Sequence, residues 1–169
     1  MNIEGTMYNV EILDTAGEED FQNMMDMWIS FGDGFLLVFA INDKNTFDAV
    51  KAKYSRILKG KHGVKCPILL VGNKVDLEKD RKVTKETAEN LATEYGMNFY
   101  ESSALNGYNI EKIFFDLCTF VSQKIDKGEY NLDDPSVGVS KSDIEEGLEI
   151  NKNLTFNNKK KNNNSNKCC

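Results

Sequence analysis

The chain has 169 residues, enough for one domain with a core and a further tail. It is 40% hydrophobic and 28% charged, the balance of an ordinary soluble globular protein. A net charge of −6 and a pI near 4.9 argue against a general nucleic-acid binder, which needs a basic face.

"MYNVEIL" (7–13) alternates and holds β-branched residues, so it reads as a strand, with Glu4-Gly5 before it as a hairpin turn and "MNI" as the end of a preceding strand. "GFLLVFAI" (34–41) is a continuous apolar run bounded by glycine and "ND", the pattern of a buried parallel strand. At seven residues, its core "FLLVFAI" is far too short to span a bilayer. Phe47, Val50, Tyr54, Ile57 and Leu58 fall on one helical face that ends at Gly60. "PILLVG" (67–72) is a further strand. Thr84 caps a helix running through Tyr95 and Gly96 stops it. "MNFYE" (97–101) is the next strand, and Ile110, Ile113, Phe114, Leu117 and Val121 form a last helical stripe. Strands alternating with helices predict an α/β fold, a doubly wound and mostly parallel sheet with helices on both faces.

After about Ile125 the pattern ends. Residues 126–150 are acidic and broken by Gly and Pro, carrying −6, and residues 151–169 are an Asn/Lys stretch carrying +5. Neither part offers enough apolar surface to offset its ordering entropy. The division expected is therefore a domain over 1–125 and a disordered tail over 126–169. Cys66 and Cys118 read as small buried hydrophobes, and no cysteine spacing suggests a disulfide framework or a zinc site. "MNIEGTMYN" has neither a basic region nor an apolar run, so no signal peptide is expected and the body reads as cytosolic.

In an open parallel sheet, ligands sit beyond the carboxyl ends of the strands. "DTAG" (14–17) follows the first strand, "NKVD" (73–76) the third and "SSAL" (102–105) the fourth, so three polar loops are expected to face one crevice. "NKVD" has a physical logic for guanine. The Asp76 carboxylate can accept from two adjacent donors, and guanine offers N1–H and N2–H₂ side by side where adenine does not. Asn73 can tie loops together or reach the base, and Lys74 can lay its aliphatic stem over a ring. Ala104 can offer its backbone N–H to the purine O6, and the Ser103 hydroxyl can hold Asp76.

These motifs, in this order and spacing, resemble the third, fourth and fifth nucleotide-binding motifs of the Ras family of small GTPases; the resemblance covers roughly residues 3–125. "GFLLVFAIN" is closer to Ras proper than to Rab or Rho relatives. The resemblance implies a fold of the small GTPase type and a guanine-nucleotide switch binding GTP and GDP, signalling to effector and regulator proteins. GTP-binding residues carried over are Asp14, Thr15, Ala16, Gly17, Asn73, Lys74, Val75, Asp76, Ser103, Ala104 and Leu105. Asp14 corresponds to the residue holding magnesium through a water, the Gly17 N–H to the one sensing the γ-phosphate, and residues 15–30 to the second switch.

Several family features are not in the 169 residues. No GxxxxGK[ST] occurs; the nearest string, "GKHG" (60–63), follows a helix and lacks the spacing and the Ser/Thr. The family's first strand, phosphate loop, first helix and first switch have no counterpart, so the chain reads as an N-terminally truncated domain with two unpaired apolar sheet edges. Magnesium then lacks its Ser/Thr ligand. Glu18, at the catalytic position, stands where the family usually has a glutamine that orients water; a carboxylate can accept from water but cannot donate to a phosphate oxygen. Leu105 replaces a lysine whose stem packs on the base. The expectation is a switch with impaired nucleotide binding and hydrolysis; the alternatives are a non-catalytic pseudo-GTPase interaction module or an incomplete gene product.

The chain ends "KCC", with Asn166 where a C-a-a-X cysteine would stand. This is similar to the double-cysteine ending of some Rab proteins. Prenyl lipid on Cys168 and Cys169, with Lys159, Lys160 and Lys161 near an anionic leaflet, would supply the two signals that stable anchoring needs. The expected location is the cytoplasmic face of a membrane, the plasma membrane by family, with no nucleic-acid partner.

Overall fold

The computed structural model describes residues 1–15, 22–62 and 65–127. Its centre is a three-stranded parallel sheet: β3 (Phe35–Ala40), β4 (Ile68–Asn73) and β5 (Asn98–Glu101), in the order β3-β4-β5. The register sets Leu37 beside Leu70 and Val71 beside Val38 and Tyr100. Successive strand side chains point to opposite faces, so a strand buried on both must be apolar throughout, which is why "FLLVFA" and "ILLV" are unbroken.

The two faces make two cores. Leu37, Phe39, Ile68 and Leu70 pack with Ile29, Val50, Ile57, Ala88 and Leu91. These come from α1 (Gln22–Phe31), α3 (Val50–Gly60) and α4 (Lys85–Tyr95). Leu69 and Val71 point the other way, onto Ile113 and Leu117 of α5 (Ile110–Asp126). Helices cover both faces, as the alternation of elements requires. Tyr100 adds a polar tie to α5, its hydroxyl donating to Asp116 Oδ2 at 2.8 Å; burial and then that carboxylate push its phenol up to about 12, so the donor keeps its proton.

Close approach demands glycine at one helix crossing. A Cβ on Gly60 would lie 2.5 Å from Ile29 Cγ2, so only the bare backbone lets α3 meet α1. Next to it the buried Lys61 donates from Nζ to the Ser30 carbonyl at 2.8 Å, and burial lowers its pKa. The α4 boundaries are those of the sequence: Thr84 Oγ1 accepts from Thr87 N–H at 3.1 Å, and Gly96 closes the helix in the left-handed region at φ +66°.

Three expectations need correction. The single helical stretch expected up to Gly60 is two helices, α2 (Lys44–Asp48) and α3, because Asp43 caps a separate first turn by accepting from Asn45 N–H; Leu58 lies off the core face, exposed. "MYNVEIL" is not a strand over its length. β1 (Asn2–Ile3) and β2 (Thr6–Met7) form the hairpin around Glu4-Gly5, continued by mutual bonds between Met1 and Tyr8. Beyond Tyr8 no described strand lies alongside to complete a ladder, and residues 9–15 are irregular, with Ile12 68% and Leu13 56% exposed. Cys66 and Cys118 are only partly buried.

β3 is paired on one side among the described residues and has Val38 44% exposed. Thr46 covers one group of that edge, its Oγ1 accepting from Ala40 N–H at 2.9 Å. No described helix is long and apolar enough to cross a membrane. The tail beyond Lys127, with the expected disorder and the Cys168–Cys169 lipid site, lies outside the described residues.

Candidate functional site

The carboxyl ends of β4 and β5 lie side by side because the strands are parallel neighbours. Asn73 ends β4. Lys74 follows in the left-handed region, φ +70°, and turns the chain into a 3₁₀ turn over Val75–Asp80. That turn lifts Asp76 above the sheet end. Glu101 ends β5, and the chain continues through Ser102 and Ser103, both buried, into the loop before α5.

The two loops are laced together. Ser102 N–H donates to the Gly72 carbonyl at 2.9 Å, and Val75 N–H to the Ser102 carbonyl at 3.1 Å. Asn73 Oδ1 is the hub: it accepts from Lys74 N–H at 2.8 Å, Ala104 N–H at 3.1 Å and Ser102 Oγ at 3.3 Å. Of the two roles open to Asn73, the structure shows it tying loops. Ser103 Oγ donates to Asp76 Oδ1 and accepts from Asn106 N–H at 3.4 Å. The link expected from Ser103 to Asp76 is therefore present. Asp76 Oδ2 takes no partner among the described residues and keeps its lone pairs for something else.

An open cavity of about 480 Å³ lies over this junction, lined by Asn73, Lys74, Asp76, Leu77, Ala104 and Leu105. It has the ingredients of a planar-ligand site: apolar walls from Leu77 and Leu105, a lysine stem, and one orienting carboxylate. Leu77 was not expected from the sequence; its place three residues after the αL Lys74 depends on the 3₁₀ turn. Val75 is partly buried under the turn and contributes its backbone. Asn109 was also missed: it holds the far end of the second loop, Nδ2 donating to the Glu101 carbonyl at 2.8 Å.

Asp14 and Thr15 are exposed, in irregular chain, and neither lines this cavity. Ala16, Gly17 and Glu18 lie outside the described residues. No cluster of three or more His, Cys, Asp or Glu suited to a metal occurs among the described residues. Asp14 stands apart from the cavity, and no other described residue joins it in a cluster suited to a metal.

Comparison with known proteins follows the same lines. A sequence model of the Ras family matches residues 1–123. The chain is 42% identical over 123 residues to the Ras-related protein O-RAL of Diplobatis ommata, covering 72% of this chain and 60% of that protein. It is 38% identical over 115 residues to Protein ras-1 of Neurospora crassa, covering 68% and 54%. It is 40% identical over 108 residues to a Ras-like protein of Laccaria bicolor, covering 64% and 52%. The chain thus spans between about half and three-fifths of the length of these relatives.

Proposed function

This chain belongs to the Ras family, and on that premise we propose that its 169 residues act as the base-reading part of a guanine-nucleotide switch, with a weakened grip on the phosphates of GTP and GDP. The observation that carries this is the Asp76 carboxylate, a residue of the cavity lining that is held at Oδ1 by the buried Ser103 and has no partner at Oδ2 among the described residues. Two donors side by side on guanine match a carboxylate; adenine's edge does not. Lys74 and Leu105 flank the ring. The Ala104 N–H, which donates to Asn73 here, is near enough to the cavity to be shared with the purine O6.

The weakened grip follows from residue types. The 169 residues hold no GxxxxGK[ST], so no lysine and nest of N–H groups from such a loop meets the phosphates. Charge-assisted hydrogen bonds are worth about 1.5–3 kcal/mol each, and losing four costs roughly 8 kcal/mol, five to six powers of ten in affinity. Glu18, with no donor for a phosphate oxygen, disfavours turnover in the same direction. Together these two features favour a second reading, a non-catalytic module that meets effector and regulator proteins of the Ras type through residues 15–30. Titration with GDP and with ADP tests the base reading: GDP is expected to bind at least tenfold tighter.

The tail is proposed to hold the protein at an anionic membrane surface by two cooperating signals. Lipid on Cys168 and Cys169 would contribute about 0.8 kcal/mol per buried CH₂, and Lys159, Lys160 and Lys161 about 1 kcal/mol each. The two should fail differently in cell fractionation. Cys168→Ser with Cys169→Ser is expected to release the protein to cytosol at any salt. Neutralising the three lysines should weaken attachment partly, and high salt should mimic that by screening. A double-serine chain still on membranes rules out anchoring through this pair.

A further inference from the structure

Arg81 and Glu101 stand where the two loops of the site begin and end. Arg81 closes the 3₁₀ turn that carries Asp76; Glu101 is the last residue of β5, directly before Ser102. Arg81 Nη1 lies 2.8 Å from Glu101 Oε1, and both side chains are largely withdrawn from solvent, at 16% and 18% exposure. The pairs Lys44–Asp48 and Lys85–Glu89, by contrast, sit on open helix surface. The same guanidinium donates from Nη1 to the Val83 carbonyl at 3.1 Å and from Nε and Nη2 to the exposed Glu78, at 2.5–2.9 Å. Glu101 Oε1 accepts no well-aligned hydrogen bond among the described residues, so charge holds this arm.

One cation thereby joins the C-terminal end of the Asp76 turn to the strand end from which Ser102–Ala104 leave. The N-terminal end of the turn is joined to the same loop by Val75 N–H on Ser102 and by Ala104 N–H on Asn73. With both ends tied, Asp76 has little freedom to move relative to Ser103. We propose that Arg81 and Glu101 are positioning residues for the base site, a charged brace that sets Asp76 against Ser102–Ala104 and thereby sharpens its choice of base. This rests on the reading of Asp76 given above. A carboxylate must face both donors of a base in line, and hydrogen bonds weaken steeply off axis, so a small tilt of the turn costs selectivity. Removing Arg81 leaves the largely buried Glu101 without its cation, and removing Glu101 leaves Arg81 tied, among the described residues, only to Glu78 and Val83 beside its own turn, so in either case the link between the two loops is lost.

The test combines amide hydrogen exchange with nucleotide titration on the full chain. In Arg81→Met, exchange at Val75 and Ala104 should speed at least tenfold relative to Leu70 and Val71, and the preference for GDP over ADP should fall at least threefold. Glu101→Gln should do the same, and the double variant should be no worse than either single one. Glu78→Gln, which removes only the exposed arm, should leave both readouts within twofold. Arg81→Lys, which keeps the charge and loses the fork, should fall between, and stands in if Arg81→Met does not fold. The proposal is overturned if Val75 and Ala104 keep their protection, or lose it only in step with the strand amides, the mark of a merely structural pair. A parent chain with no preference for GDP removes the base reading instead, and the exchange result then decides the brace by itself.

Discussion

Asp76→Asn is expected to invert the choice of base, favouring xanthine over guanine. The carboxylate offers acceptors alone, and guanine meets it with N1–H and N2–H₂. The amide puts a donor where guanine also donates, whereas xanthine has a carbonyl in place of the N2 amine. At about 1.5–3 kcal/mol for each charge-assisted bond, losing two lowers the guanine-to-xanthine ratio by roughly two to four powers of ten. The fold should tolerate the change, because the amide oxygen can still accept from Ser103 Oγ, as Asp76 Oδ1 does now. Parallel titrations with GDP and XDP read the ratio, which is insensitive to how well the chain holds phosphate. GDP and XDP affinities that move together would show that Asp76 does not read the base edge.

Leu70→Ala is expected to produce the largest loss of stability. Leu70 has no exposed surface and sits on the middle strand of a three-stranded sheet, in the core shared by α1, α3 and α4. Such truncations cost about 2–5 kcal/mol, the transfer of the side chain plus the cavity left behind. Domains of this size have about 5–15 kcal/mol in all, and a short sheet with an open edge belongs at the low end. The variant should therefore lose a third or more of its denaturant midpoint, followed by the fluorescence of Trp28, the chain's single tryptophan. Val38→Ala, on the half-open edge strand, should lower the unfolding free energy by no more than about 1 kcal/mol. Equal losses at the two positions would contradict the packing described.

These two residues also show what the sequence makes legible. Leu70 lies in a run that is apolar at every position, which only a strand buried on both faces needs. Thr84 and Gly96 bracket α4 because a side-chain acceptor at the start and a left-handed residue at the end are local requirements. "NKVD" and "SSA" could be placed at strand ends, and the Ser103–Asp76 link followed from residue type and proximity. Other features depend on partners that are distant in sequence. "MYNVEIL" has the alternation of a strand, yet a strand exists only with a neighbour to ladder with, and from Tyr8 onward none is described. The break between α2 and α3 turned on whether Asp43 capped a short turn or stayed in a loop. Arg81 and Glu101 are 20 residues apart, and only the parallel pairing of β4 with β5 brings their loops together. Asn73 as acceptor for three donors was equally invisible, since its sequence allowed either a tie or a base contact.

The proposed role, reading a guanine base with a weak grip on the phosphates, separates into two measurable parts. Titration of the 169-residue chain with fluorescent GDP and ADP analogues in magnesium buffer tests it most directly, because base and phosphate contributions separate in one experiment. The expected GDP dissociation constant is about micromolar or weaker, with ADP at least tenfold weaker still. A nanomolar constant for GDP would mean that other residues hold the phosphates, and equal binding of GDP and ADP would mean that the Asp76 cavity does not select the base.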